Sequence, residues 1–139
     1  MDKHLTLLRV MTPFPQCIAP SASLEEAAQV MDAHEIHHLP VKEEHGELVG
    51  MLTAADIALA QRLVPERAAG LTASDVCRRE VFVVDSTHTL AGVLREMAMR
   101  HASCALVSRD EHLVGIVTTT DLGLALADLL DPDIEDIIA

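Results

Sequence analysis

Short apolar runs alternate along this chain with longer stretches in which apolar residues recur every three or four positions, and the alternation happens twice. The first pass begins with Pro15-Gln16-Cys17-Ile18, which predicts a short strand. Ser23 then opens a helix, with Ser23-Leu24-Glu25-Glu26 as a capping box and Leu24, Ala27, Ala28 and Met31 along one face. His38-Leu39-Pro40-Val41 predicts a second strand, Lys42 to Glu47 a polar turn, and Leu48-Val49-Gly50-Met51-Leu52 a third strand. A second helix starts after Thr53. The second pass has the same order. Val81-Phe82-Val83-Val84 is a strand, and a helix from Thr89 buries Leu90, Val93, Leu94 and Met97. Cys104-Ala105-Leu106-Val107 and Leu113-Val114-Gly115-Ile116-Val117 flank a turn from Ser108 to His112, and a helix follows Thr118. Each pass reads β-α-β-β-α.

The two passes are copies. Gly50-Met51-Leu52-Thr53-Ala54-Ala55-Asp56 recurs as Gly115-Ile116-Val117-Thr118-Thr119-Thr120-Asp121. Leu24 matches Leu90 and Val41 matches Val107 at a spacing of 66 residues, which falls to 65 at Leu48 and Leu113 because the second turn is one residue shorter. The expected organisation is a first motif over 8–60, a linker over 61–72 with Pro65 and Gly70, a second motif over 73–128 and an acidic tail over 129–139. Leu8-Arg9-Val10-Met11 opens the first copy and Thr72-Ala73-Ser74-Asp75-Val76 the second. The tail, with Asp131, Asp133, Glu135 and Asp136, reads as a short helix or a disordered end. Two such copies are expected to pack about a pseudo-twofold axis.

Composition narrows the function classes. Half of the 139 residues are apolar, yet Phe14 and Phe82 are the only aromatics, so the core is aliphatic. Met31, Met51, Met97 and Met99 are expected to fill it. A formal charge of −12 argues against nucleic acid as a partner and against anionic membranes. Cys17, Cys77 and Cys104 are odd in number and widely spaced, as in a reduced cytosolic protein. No signal-peptide pattern follows Met1, and no apolar run approaches the roughly 20 residues that span a bilayer, so a cytoplasmic location is expected.

The repeated Gly-x-x-Thr-x-x-Asp carries the candidate chemistry. Thr at a strand end with Asp three residues on is ordinary helix-start chemistry: Thr caps, and Asp complements the macrodipole. The same groups suit a nucleotide. A helix N-terminus offers N–H groups to an anion, a Thr hydroxyl can donate to phosphate, and a carboxylate can accept from both ribose hydroxyls. The Gly leaves room for a close backbone approach.

The doubled β-α-β-β-α unit, with Gly-x-x-Thr-x-x-Asp and His37-His38-Leu39-Pro40-Val41, resembles a tandem pair of CBS domains, the cystathionine β-synthase type, over about residues 8 to 128. The resemblance implies a disc-like α/β (α+β) module with two clefts related by pseudo-symmetry. It implies a ligand, an adenine nucleotide (AMP, ADP or ATP) or S-adenosylmethionine, and regulation of a partner protein, with no metal required. Carried over, Asp56 and Asp121 grip ribose hydroxyls, and Thr53 and Thr118 contact phosphate. Ile18 with Ala19, and Val84 with Asp85, edge the adenine pockets. In relatives a basic pair before the Leu-Pro-Val strand reaches phosphate. Here the first copy has His37 and His38, while the second has Ser103 and Cys104. The clefts are therefore expected to be unequal, with phosphate favouring the one that receives His37 and His38.

His34-Glu35-Ile36-His37-His38 formally matches His-Glu-x-x-His, the zinc-protease pattern. That chemistry needs both His on one helix, and Pro40 predicts that the helix stops before His38. Metal binding through His34, His37 and His38 stays a remote alternative. The remaining histidines, His4, His45, His88, His101 and His112, are expected on the surface. No Ser-His-Asp set, P-loop or paired-carboxylate signature is present, so no enzyme is expected. The competing reading is a structural module with empty clefts that dimerises or docks a partner. The helices after Thr53 and Thr118 carry Ile57, Ala58, Leu59 and Ala60, and Leu122, Leu124, Ala125 and Leu126, enough apolar surface for a twofold homodimer.

Overall fold

The computed structural model describes residues 5–131; most of the acidic tail, and His4, lie outside the described residues. The elements run α1 (Leu7–Val10), β1 (Thr12–Pro13), α2 (Leu24–His34), β2 (His38–Lys42), β3 (Leu48–Thr53), α3 (Ala54–Leu63), α4 (Pro65–Ala68), α5 (Ala73–Val76), β4 (Val83–Asp85), α6 (Leu90–Arg100), β5 (Cys104–Arg109), β6 (His112–Thr118) and α7 (Thr119–Leu130). The fold is mixed α/β, and it forms two compact units: 15–81, and 5–14 together with 82–131.

In the unit of residues 15–81, β2 and β3 form an antiparallel hairpin. The segment around Ile18 does not become a regular strand. It makes one parallel bridge to Val41, in which Ile18 N–H donates to the Pro40 carbonyl and Lys42 N–H to the Ile18 carbonyl, both at 2.9 Å. Pro15 and Pro20 flank it and cannot donate, which limits the pairing. On the other side of the hairpin, Met51 bridges Arg78. The Ser23 hydroxyl accepts from Glu26 N–H and starts α2. Leu24, Ala27 and Met31 then face a core with Leu39, Val41, Leu52, Ile57 and Ala73.

The other unit repeats this arrangement with fuller strands. Its sheet runs β1-β6-β5-β4, with β4 parallel to β5 and the other pairs antiparallel. Val93 and Met97 of α6 pack on Ala105, Val107 and Val117, with Leu7 and Val84. Both cores are aliphatic. Met31, Met51 and Met97 are buried, but Met99 is 81% exposed, because two residues on from Met97 a helix has turned by about 200°. Phe82 packs at the edge of its core with the Arg100 guanidinium over its ring, and Phe14 is exposed.

The opening segments are where repeat order and packing part. Leu7–Pro13 opens the first repeat but packs on the second, with Thr12 opposite Ile116. Ala73–Arg78 opens the second repeat but packs on the first. Each unit is thus closed by the segment that leads into the other copy. Periodicity alone carries no information on which sheet edge such a segment joins.

Candidate ligand sites at two helix starts

Both helix starts are built in one way. A β-strand delivers Thr53 to the start of α3, its hydroxyl accepts from Asp56 N–H at 3.1 Å, and Asp56 Oδ2 accepts from Thr53 N–H at 3.3 Å. At α7, the Thr118 hydroxyl accepts from Asp121 N–H, and Asp121 Oδ2 accepts from Thr118 N–H at 2.9 Å. These are reciprocal capping boxes, so the helix-start reading of Thr-x-x-Asp is realised in both copies. The first N–H of each helix is also taken: Ala54 N–H donates to the His37 carbonyl and Thr119 N–H to the Ser103 carbonyl. The Thr118 hydroxyl donates to Asp121 Oδ2 as well, which uses its one proton.

Each carboxylate keeps Oδ1 outside its box, and there the copies differ. Asp56 Oδ1 accepts from Arg78 Nε at 3.2 Å and Nη2 at 3.1 Å. Asp121 Oδ1 accepts from the Thr12 hydroxyl at 3.5 Å. Arg78 and Thr12 stand 66 residues apart, the repeat register, and each follows the short helix that opens a copy. Neither was singled out from sequence. The signal lay in that register, but its meaning depends on which sheet each segment joins.

His37 and His38 enter the same neighbourhood. His38 pairs across the hairpin with Thr53. Burial lowers its pKa below the usual histidine value, His37 lowers it further and Asp56 opposes the shift. His38, Thr53, Asp56 and Arg78 are therefore neighbours, and His37 meets the start of α3 through its carbonyl oxygen. Ile18 and Ala19 lie one strand over, at the Val41 register, with Ile18 buried and Ala19 exposed. In the other unit Cys104 pairs with Thr118, and Val84 and Asp85 lie at the Val107 and Ser108 register. Asp85 is turned into its own loop, where its Oδ2 accepts from the Thr87 N–H and hydroxyl, and its carboxyl is held below the usual range by those bonds. Burial pushes the Cys104 thiol up to about 11.

The His-Glu-x-x-His pattern is broken in space. Helix α2 ends at His34, Glu35 takes a left-handed conformation (φ 53°), and His38 already belongs to β2. Among the described residues, no group of three or more His, Cys, Asp or Glu side chains is placed to hold a metal. His34, His37, His45, His88, His101 and His112 are exposed. A cavity of about 480 Å³ opens along α2 and α3, lined by Ala28, Met31, Ile36, His37, Ile57 and Gln61; Thr53, Asp56 and Arg78 do not line it. Among the described residues no helix is long and apolar enough to cross a membrane.

A doubled strand–Thr-x-x-Asp–helix unit on a mixed α/β frame defines a tandem-repeat module with two related carboxylate sites. The chain belongs to the CBS-domain family, whose model matches residues 7–62 and 73–128. Hypoxic response protein 1 of Mycobacterium tuberculosis is 33% identical over 116 residues, 81% of this chain and 79% of that one. A crystal structure of Hypoxic Response Protein I with two coordinated zinc ions is similar at a TM-score of 0.72 and 28% identity, over 86% of this chain and 98% of that one. The CBS domain pair of protein MJ0100, in complex with 5′-methylthioadenosine and S-adenosyl-L-methionine, is similar at a TM-score of 0.75 and 30% identity, over 88% of this chain and 95% of that one. L-aspartate semialdehyde sulfurtransferase of Methanocaldococcus jannaschii is 33% identical over 124 residues, 88% of this chain; the match spans only 23% of that enzyme's length.

Proposed function

We propose that this chain is a non-catalytic regulatory module that binds an adenosine-type ligand, an adenine nucleotide (AMP, ADP or ATP) or S-adenosylmethionine, at its Thr-x-x-Asp positions. The observation that carries the reading is the matched pair of carboxylates, Asp56 and Asp121, each with one oxygen closing a helix start and Oδ1 outside it. A carboxylate offers about four acceptor positions. Asp121 uses three of them, whereas Asp56 uses four, three for Arg78 Nε and Nη2, so a ribose hydroxyl at Asp56 would take the place of an Arg78 contact. The MJ0100 pair supports the ligand class, as its bound molecules carry an adenosine moiety. Ile18 with Ala19, and Val84 with Asp85, would edge the base; Thr53 would face the phosphate, with His37 and His38 beside it. Thr118 would serve chiefly to hold Asp121, because its proton is already used. The motifs are read as 8–60 and 73–128, joined by 61–72, in a cytoplasmic protein that reports ligand occupancy to an unidentified partner.

Thermal unfolding with AMP, ADP, ATP, S-adenosylmethionine and 5′-methylthioadenosine tests this. A ligand at 100 times its Kd adds about 2.7 kcal/mol of stability. A chain unmoved by all five at millimolar concentration is not a sensor of this class.

The second reading, a homodimerising or docking module, is favoured by α7. None of its residues is buried, and Leu124, Leu126, Leu129 and Leu130 are all exposed. A homodimer is compatible with both readings, so ligand response separates them: a chain that sediments as a dimer and is stabilised by none of the five ligands is a structural module with empty clefts.

A further inference from the structure

The two carboxylates differ in what meets Oδ1, and that difference has consequences for ligand charge. Of the first three backbone N–H groups of α3, two are already taken: Asp56 N–H by Thr53 and Ala54 N–H by His37. Positive charge for a phosphate there has to come from side chains. His38 is mostly neutral at pH 7, because burial lowers its pKa. Arg79 is turned away and donates through Nη2 to the Ser74 hydroxyl and carbonyl. Arg78 keeps its charge, and its pair with Asp56 raises its pKa further.

The Arg78 geometry is side-on. Nε and Nη2 face Asp56, which leaves the Nη1 edge of the fork directed elsewhere. The Arg78 side chain is 70% exposed while that of Asp56 is 10% exposed, so the guanidinium reaches outward from a sunken carboxylate. Its backbone is fixed: Arg78 N–H donates to the Met51 carbonyl at 2.8 Å, and Met51 N–H to the Arg78 carbonyl at 2.9 Å. At the matching position the other unit has Thr12, a neutral hydroxyl.

We propose that Arg78 is the charge-selecting residue of the Asp56 site: its unused edge binds the 5′-phosphate of an adenosine ligand whose ribose Asp56 holds. The Asp56 site then takes phosphorylated ligands. The Asp121 site, with Thr12 in the equivalent place, accepts uncharged or cationic adenosine derivatives equally well. This rests on the adenosine-ligand reading above and assigns its two sites different chemistries.

The test measures AMP and adenosine binding by calorimetry to the full chain and to Arg78→Gln, Arg78→Lys and Thr12→Arg. Urea midpoints confirm that each variant is folded. A charged hydrogen bond to phosphate supports an expected loss of about 10-fold or more in AMP affinity for Arg78→Gln. Adenosine affinity should change by less than about 3-fold, and Arg78→Lys should retain part of the AMP preference. Thr12→Arg should bring a second, tighter AMP site. An unchanged AMP-to-adenosine ratio in Arg78→Gln overturns the proposal while leaving the ligand reading intact. A gain for both ligands also overturns it, since Arg78 would then only occlude Asp56. If neither molecule binds the parent chain, the ligand reading fails and this assignment goes with it.

Discussion

The carbonyl oxygen of Arg78 stands in the space that a Cβ on Gly50 would fill. The close approach that this glycine permits is therefore made by the protein's own chain, which pairs Arg78 with Met51 in β3 and delivers the guanidinium to Asp56. Gly115 is the counterpart, but the group over it is the Met11 side chain. A thioether can rotate aside and a paired carbonyl cannot. Gly50→Ala should cost about 2–3 kcal/mol and Gly115→Ala less than about 1.5 kcal/mol, as overpacking beside rigid and flexible neighbours. Urea midpoints at unchanged m-value read the difference; equal costs would contradict this account of Gly50.

Replacing Asp56 removes three things at once: the N3 arm of a capping box, the partner of the Arg78 guanidinium and the proposed ribose acceptor. Asp56→Ala should lower stability by about 1 kcal/mol. It should also weaken adenosine binding by about 10-fold or more while leaving free adenine nearly unaffected. The two ligands are compared at a temperature where the variant is fully folded. Equal losses for adenosine and adenine would remove the ribose assignment.

His38 makes stability depend on pH in a defined window. Its pKa is lowered from 6.5 in the folded chain, chiefly by burial and further by His37. The unfolded chain then binds the proton more readily, so stability falls as pH drops below about 6.5, and this effect vanishes at higher pH. Asp75 and Asp85 act lower down. Hydrogen bonds from Thr72 and Thr87 hold their carboxyls below 3.8, so their contribution is present above that value and is lost on further acidification. His38→Gln should flatten the profile of urea midpoint between about pH 5 and 7 and leave the fall below about pH 4 in place. An unaltered profile would show that His38 titrates as in the unfolded chain.

The thiols should be slow nucleophiles. With Cys104 raised to about 11 by burial, roughly one molecule in a thousand carries its thiolate at pH 8. Cys17 and Cys77 are raised as well, again by burial first. Iodoacetamide should label the native chain far more slowly than the urea-unfolded chain, and mass mapping of the peptide holding Cys104 follows it. Rapid native labelling at Cys104 would contradict its burial.

Two helices end in residues with left-handed backbone, Glu35 and His101. Each closes the same hydrogen-bond loop, from Ile36 N–H to the Met31 carbonyl and from Ala102 N–H to the Met97 carbonyl. A side chain costs free energy in this conformation and glycine does not. His101→Gly should raise stability by up to about 1 kcal/mol in the same urea assay; a loss would indicate that the imidazole contributes a contact of its own.

The duplication, the element types and the core faces were legible in the sequence because they depend on local spacing. Leu24, Ala27 and Met31 repeat at helical intervals, and Leu39 to Val41 form a buried run whichever partners they meet. The capping chemistry of Thr53 with Asp56 was legible for the same reason: donor and acceptor lie three residues apart. Only the tertiary structure decided that Leu7–Pro13 closes the second repeat and Ala73–Arg78 the first. It also decided that the two carboxylates meet different partners, a guanidinium at Asp56 and a hydroxyl at Asp121. Arg78 to Asp56 spans 22 residues and Thr12 to Asp121 spans 109. Contacts at such separations are set by which sheet edge a segment joins, and hydrophobic periodicity, identical at both edges, does not encode that choice.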